Sequence, residues 1–153
     1  MLHNNVYVKD TPEKGKSLFA GRDFKKDETI FVISGPIVKR PTIFTVPIDI
    51  GLYIDPEPFD NDVKYLCHSC EPNCGIKNRT QVVGMGDIRK DEEITIDYAM
   101  IVHNYTLPEP AEIICKCGSK KCRGELGCFV RLPDEVKRKY EGFISDYLLG
   151  DKS

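Results

Sequence analysis

Tryptophan is absent from the 153 residues, and 7 Tyr and 7 Phe supply the aromatic bulk. An excess of one charge is lacking too. The 22 basic and 24 acidic side chains leave a formal net charge of −2, which argues against direct nucleic-acid binding through a clustered basic surface. No apolar run approaches the ~20 residues that a membrane span needs. The opening MLHNNVYVKD lacks the basic-then-apolar signal pattern, so an intracellular location, cytoplasmic or nuclear, is expected, with no membrane partner. His3, His68 and His103 stand in unrelated contexts, which leaves no visible acid–base pair. Cysteine is missing from the first 66 residues, and then seven follow in two groups, Cys67, Cys70 and Cys74, and Cys115, Cys117, Cys122 and Cys128. An odd count rules out a fully paired disulfide framework within the chain. In an intracellular protein such clustering points to a metal site.

What is present fits one soluble domain: 41% apolar and 30% charged residues over a length typical of a single core. Short β-branched runs read as strands at 6–8, 18–20, 29–33, 81–83 and 94–96. Between Pro41 and Pro58 four prolines break any long helix. Asp23-Phe24-Lys25-Lys26-Asp27-Glu28-Thr29-Ile30 is echoed by Asp87-Ile88-Arg89-Lys90-Asp91-Glu92-Glu93-Ile94, with five of eight positions identical. Both pieces read as a polar turn leading into a strand. Between Pro133 and Gly150, the residues Val136, Tyr140, Phe143, Ile144, Tyr147 and Leu148 recur at helical spacing. They predict one amphipathic helix, capped by Asp134 and ended by Gly150, that packs on a mainly β body or meets a partner.

The C-x-C-x4-C run Cys115, Cys117, Cys122 places three thiols where they can share one ion. Tetrahedral zinc then lacks one ligand. Cys67, Cys70 and Cys74 are all candidate donors by spacing, and free or redox-sensing thiols are the competing reading.

Four segments taken together resemble a SET-domain protein lysine methyltransferase with a cysteine-rich post-SET tail. Residues 13–20, EKGKSLFA, are similar to K-G-x-G-[LV]-F-A; 64–74, KYLCHSCEPNC, to R-F-x-N-H-S-C-x-P-N; 91–98, DEEITIDY, to G-E-E-[LI]-T-x-D-Y; and 115–124 to C-x-C-G-S-x-x-C-R-G. The resemblance implies a SET-domain-like β fold with a C-terminal pseudoknot that brings the His68 loop beside Tyr98. It implies a SET domain at 1–110 with a short insert at about 39–59, a post-SET zinc segment at 111–128 and a C-terminal helix within 129–153. It also implies S-adenosylmethionine bound by Lys14, Gly15, Lys16, Cys67, His68 and Tyr98, with Tyr98 as the catalytic tyrosine. One structural zinc is implied on Cys70, Cys115, Cys117 and Cys122, leaving Cys67, Cys74 and Cys128 as small buried thiols.

The implied substrate is a lysine-bearing protein or peptide, a histone tail among them. The acidic segment 55–62 is a candidate attractor for a basic tail. Four positions depart from the pattern. Ser17 replaces a glycine, Cys67 an asparagine and Lys64 an arginine, while Ile96 stands where an aromatic residue often helps set methylation degree. The reading from another class is a catalytically weak SET-like interaction module stabilised by zinc. Oligomeric state has no signature in this sequence.

Overall fold

The computed structural model describes residues 5–42, 44–56, 61–104, 115 and 117–150. Strands β1 (Val6–Thr11) and β2 (Gly15–Ala20) form an antiparallel hairpin in the register Val6↔Ala20 to Thr11↔Gly15. Along β2 Leu18 and Ala20 share one buried face and Ser17 is buried on the other, while Gly15 and Lys16 stay exposed. Thr11 Oγ1 closes the turn, accepting from the Lys14 amide at 3.0 Å and donating to Gly15 O at 2.8 Å.

Strands β3 (Thr29–Val32), β7 (Cys67–His68), β8 (Cys74–Lys77), β9 (Gln81–Gly84) and β10 (Thr95–Ile96) make a second sheet in the order β3-β9-β8-β10-β7. β10 slots between β7 and β8 and runs parallel to both. The segment before Tyr98 therefore threads past the 67–74 loop, the knot-like crossing that the resemblance implies. Leu18, Phe24, Ile30, Ile76, Val82, Ile88, Ile94, Ile96 and Met100 fill the core beneath these sheets.

The echoed turns pack on each other. Phe24 and Ile88 form an antiparallel bridge, Asp87 Oδ1 accepts from the Lys26 amide, and Asp23 Oδ1 accepts from the Lys90 amide. Each copy also closes its own turn, through Glu28 on the Lys25 amide and Glu92 on the Arg89 amide.

A third sheet was not visible in the sequence: β4 (Ile37–Val38), β6 (Leu52–Ile54) and β5 (Val46–Asp49), paired antiparallel in that order. Pro47 lies inside β5 opposite Tyr53, and β5 is an edge strand, where a residue without an N–H is tolerated.

The C-terminal segment departs from the expected single helix. α1 covers only Asp134–Lys139, with Pro133 rather than Asp134 at its N-cap, and a 3₁₀ turn follows at Asp146–Leu149. Gly142 breaks the helix with φ +86°. Beyond it the backbone keeps only short-range turns of its own and bonds also to the body. The Ile76 amide donates to Phe143 O at 2.9 Å, and the Ser145 amide donates to Met100 O at 2.9 Å. The apolar residues are nevertheless buried as the periodicity required, with Tyr140, Phe143, Ile144 and Leu148 all inside. Phe143 sits so close to Gly75 that a Cβ there would lie 2.4 Å from the Phe143 Cβ. Among the described residues no helix is long and apolar enough to cross a membrane.

Candidate active site and metal centre

Pairing of β10 with β7 brings together residues thirty apart in the chain. The Ser69 amide donates to Ile96 O at 3.0 Å, and the Tyr98 amide donates to His68 Nδ1 at 3.0 Å. Accepting that bond leaves the ring proton on Nε2, which faces Cys70 Sγ at 3.4 Å. Burial holds the His68 pKa down at about 4; the Asp97 carboxylate opposes this, while the Arg123 and Lys14 charges add to it. The imidazole is thus a neutral acceptor that anchors the Tyr98 backbone. The Tyr98 ring lies 5.1 Å from that of His68, centroid to centroid, and its hydroxyl donates to Leu66 O at 2.9 Å. Burial pushes the Tyr98 pKa up, helped by the neighbouring Cys67. The phenol therefore stays protonated and donates its hydrogen bond.

Asp97 is the buried hub beside it, with no exposed side-chain surface. Its carboxylate accepts from the Ala99 amide at 2.9 Å, Arg123 Nη2 at 2.7 Å and Tyr140 Oη at 2.8 Å. His68 Nδ1 lies 3.6 Å away. A buried carboxylate is tolerable when its lone pairs are filled and a cation balances it. Here the balancing cation comes from the cysteine-rich segment and the hydroxyl from the C-terminal one. Gly127 packs on this hub, since a Cβ there would meet Asp97 Oδ1 at 2.6 Å.

The other expected cofactor residues fall into two sets. Lys16 and Cys67 come together, with Gly15 next to Lys16 in the chain: Cys67 Sγ reaches Lys16 O at 3.8 Å and Tyr65 O at 3.4 Å. The Lys14 ammonium is committed to Glu93 at 2.9 Å, and that of Lys16 turns outward to Asp10 at 3.4 Å. Ser17, wholly buried, donates to Glu93 Oε2 and lies 3.3 Å from Cys67 Sγ. Two of the positions that depart from the family pattern are therefore in contact.

Asn73 braces the same region, donating to Glu93 O at 2.7 Å and accepting from the Thr95 amide at 2.9 Å. Sequence reasoning missed Asn73, Glu93, Asp97 and Arg123 as site residues. All four lie inside the quoted motifs, and Asp97 and Arg123 stand directly beside the named Tyr98 and Cys122. That adjacency was the available signal.

On the far side of Tyr98 a cavity of about 760 Å³ opens, walled by Ile33, Phe44, Tyr53, Leu66, Ile96 and Tyr147 among others. The β5–β6 hairpin of the short insert forms one wall. Of the acidic segment, residues 57–60 lie outside the described residues, as does the expected boundary near 110.

The four cysteines named as metal ligands converge. The Sγ atoms of Cys70, Cys115, Cys117 and Cys122 all lie within 4.8 Å of one another, and those of Cys70 and Cys115 are 3.9 Å apart. Backbone amides point at three of the four sulfurs. Amides of Arg123, Cys117 and Gly124 donate to Cys70, Cys115 and Cys122 Sγ at 3.3, 3.4 and 3.4 Å. Burial raises the thiols of Cys70 and Cys115. At Cys117 burial also works upward, but hydrogen bonds, including those from Cys115 and Cys122, outweigh it and bring the thiol down to about 7. Four sulfur donors at this spacing fit one tetrahedral zinc ion. Cys74 and Cys128 are buried outside the cluster, as expected of spare thiols, but Cys67 is only half-buried, because it lies on the edge strand β7 facing Lys16 O.

Residues 15–99 match the SET domain family. The histone-lysine N-methyltransferase ash1 of Drosophila melanogaster is 31% identical over 91 residues, covering 55% of this chain and 4% of ash1. Histone-lysine N-methyltransferase set-2 of Caenorhabditis elegans is 36% identical over 86 residues, 52% of this chain and 5% of that protein. An H3 lysine-36 specific histone-lysine N-methyltransferase of Mus musculus is 23% identical over 163 residues, 90% of this chain and 6% of that protein. The chain thus spans only a few per cent of the length of these relatives. The crystal structure of KRYPTONITE in complex with mCHG DNA and SAH shares the fold, with a TM-score of 0.61 at 22% identity over 82% of this chain and 30% of that one. With residues 15–99 matched, and with the strand crossing that sets Tyr98 against His68, this chain belongs to the SET-domain family.

Proposed function

We propose that this domain methylates the side-chain amine of a lysine in a protein, with S-adenosylmethionine as methyl donor and one structural zinc ion. The observation that carries the reading is the Tyr98 hydroxyl, held by its bond to Leu66 O and by His68 behind the backbone, at the wall of an apolar cavity. When bound, the donor would supply a sulfonium methyl group open to direct attack by a neutral amine, with the thioether S-adenosylhomocysteine as the leaving group. Tyr98 orients the amine and the methyl group, and the alignment itself supplies much of the acceleration. The apolar walls strip water from the incoming ammonium and favour its neutral form, the nucleophile. The backbone around Gly15 faces open space, with no atom within 4 Å of where a Cβ would stand. Together with Lys14, Lys16, Cys67 and His68 it forms the proposed donor site.

Cys70, Cys115, Cys117 and Cys122 would hold the zinc, whose part is to fix the 115–131 segment against the site rather than to touch substrate. A histone tail is the first substrate to try, given the names of the relatives, and a nuclear location would follow from it. Incubation of the protein with labelled S-adenosylmethionine and a histone panel tests the reading, with Tyr98→Phe as the control. One observation favours the non-catalytic interaction module: Ser17 and Cys67 bond each other at the rim of the donor site. Calorimetric absence of donor binding would decide for it.

A further inference from the structure

We infer that the C-terminal segment 133–149 is a working part of the catalytic centre, with Tyr140 and Tyr147 as positioning residues for Tyr98. The inference rests on Tyr98 acting as proposed above. Tyr98 opens a 3₁₀ turn of three residues, Tyr98–Met100, and so short a turn has poor hydrogen-bond geometry and little stability of its own. Three bonds from the C-terminal segment fall on it and its flanks. Tyr140 Oη donates to Asp97 at 2.8 Å, the Ser145 amide donates to Met100 O at 2.9 Å, and Tyr147 Oη donates to Ile101 O. They bracket Tyr98 on both sides.

The segment is in turn tied to the body at β8 and at the β5 wall of the cavity. Phe143 packs on Gly75, and Arg79 joins Asp146 to Asp49 and to Ile48 O. It is thus an anchored strap behind the Tyr98 turn. Tyr147 also walls the cavity that Tyr98 and Ile96 line, so displacement of the strap would alter both the hydroxyl's position and the cavity's shape. Sequence periodicity could identify this stretch only as an apolar face in need of a partner. In the structure the segment's hydroxyls and the Ser145 amide reach the turn carrying Tyr98, while Phe143 packs on Gly75 of β8.

Tyr140→Phe and Tyr147→Phe each delete one hydroxyl and almost no volume, so both should fold. Kinetics with labelled donor and hydrogen exchange by mass spectrometry are read side by side on wild type and both variants. In Tyr140→Phe, kcat should fall about fivefold to tenfold while donor Kd stays within about twofold, since the turn is loosened and the Gly15 side is untouched. Amides at 98–102 should exchange about tenfold faster, with those of the β1–β2 hairpin unchanged. Tyr147→Phe should show the same exchange pattern and also raise KM for the substrate peptide. Unchanged kcat with unchanged exchange at 98–102 would overturn the inference. So would a uniform acceleration of exchange across the chain, which would mark Tyr140 as ordinary packing. A wild type that transfers no methyl group, with exchange still faster at 98–102 in both variants, would refute the proposed reaction and leave the strap standing.

Discussion

Replacing Cys67 by asparagine, the residue that the family pattern has there, gives a prediction whose sign the structure reverses. From sequence alone the amide should add hydrogen bonds that a thiol makes only weakly, and donor binding should tighten. In the structure the Cys67 sulfur already stands 3.3 Å from Ser17 Oγ and 3.4 Å from Tyr65 O, so two directions have no room for the further atoms of an amide. Overpacking of this kind costs about 1–3 kcal/mol. Cys67→Asn alone should therefore weaken S-adenosylmethionine binding, not tighten it.

Ser17→Gly alone removes the hydroxyl donated to Glu93, at about 0.5–1.5 kcal/mol for a net hydrogen bond. Together the two changes restore space on one of the two crowded sides, because the hydroxyl lost at 17 is one of the two groups that crowd the amide at 67. The double variant should bind better than either single one, with a coupling of about 1–2 kcal/mol, within the range for residues in contact. That corresponds to roughly a fivefold to thirtyfold departure from additivity in Kd. Calorimetric titration of all four proteins, matched for zinc content and melting temperature, measures it. Additive effects, with coupling below about 0.5 kcal/mol, would refute the reasoning.

Purified protein should carry about one zinc per chain, and a strong chelator should loosen the 115–131 segment to proteolysis and abolish transfer, because Arg123 links the Cys70 sulfur to Asp97. Elemental analysis well below one equivalent with full activity would contradict this. Asp97→Asn should lower stability in urea by about 2–3 kcal/mol, less than for a fully buried pair because Arg123 is 19% exposed; a loss under about 0.5 kcal/mol would mean that the hub is not a structural centre. Gly75→Ala, which drives a methyl into Phe143, should cost about 1–3 kcal/mol and speed exchange across 140–148.

What the sequence disclosed follows from which interactions are local. The hairpin of β1 and β2, β3, β9 and the echoed turns depend on alternation and on side chains three residues away, as with Glu28 on the Lys25 amide, and such patterns are legible. The Cys115–Cys122 run was legible as metal chemistry, while the choice of Cys70 as the fourth ligand needed the family resemblance. The β4-β6-β5 sheet was hidden because Pro47 argues against a strand unless the strand is known to be an edge. The break in the C-terminal helix was hidden because tertiary bonds at Phe143 and Ser145 decided it, although Gly142 marked the place. Asp97, Arg123 and Tyr140 meet across separations of 26 and 43 residues, and no local pattern reports such a meeting.

The most direct test of the account is methyl transfer by Tyr98→Phe beside wild type, with labelled S-adenosylmethionine and a lysine-bearing protein substrate. The change deletes the bond from the hydroxyl to Leu66 O and little volume, so folding, zinc content and donor binding should match wild type. Transfer should fall by about a hundredfold or more, roughly 2.7 kcal/mol of barrier. Transfer within about threefold of wild type, some 0.65 kcal/mol, would show that Tyr98 does not orient the reacting groups and would contradict the account at its centre.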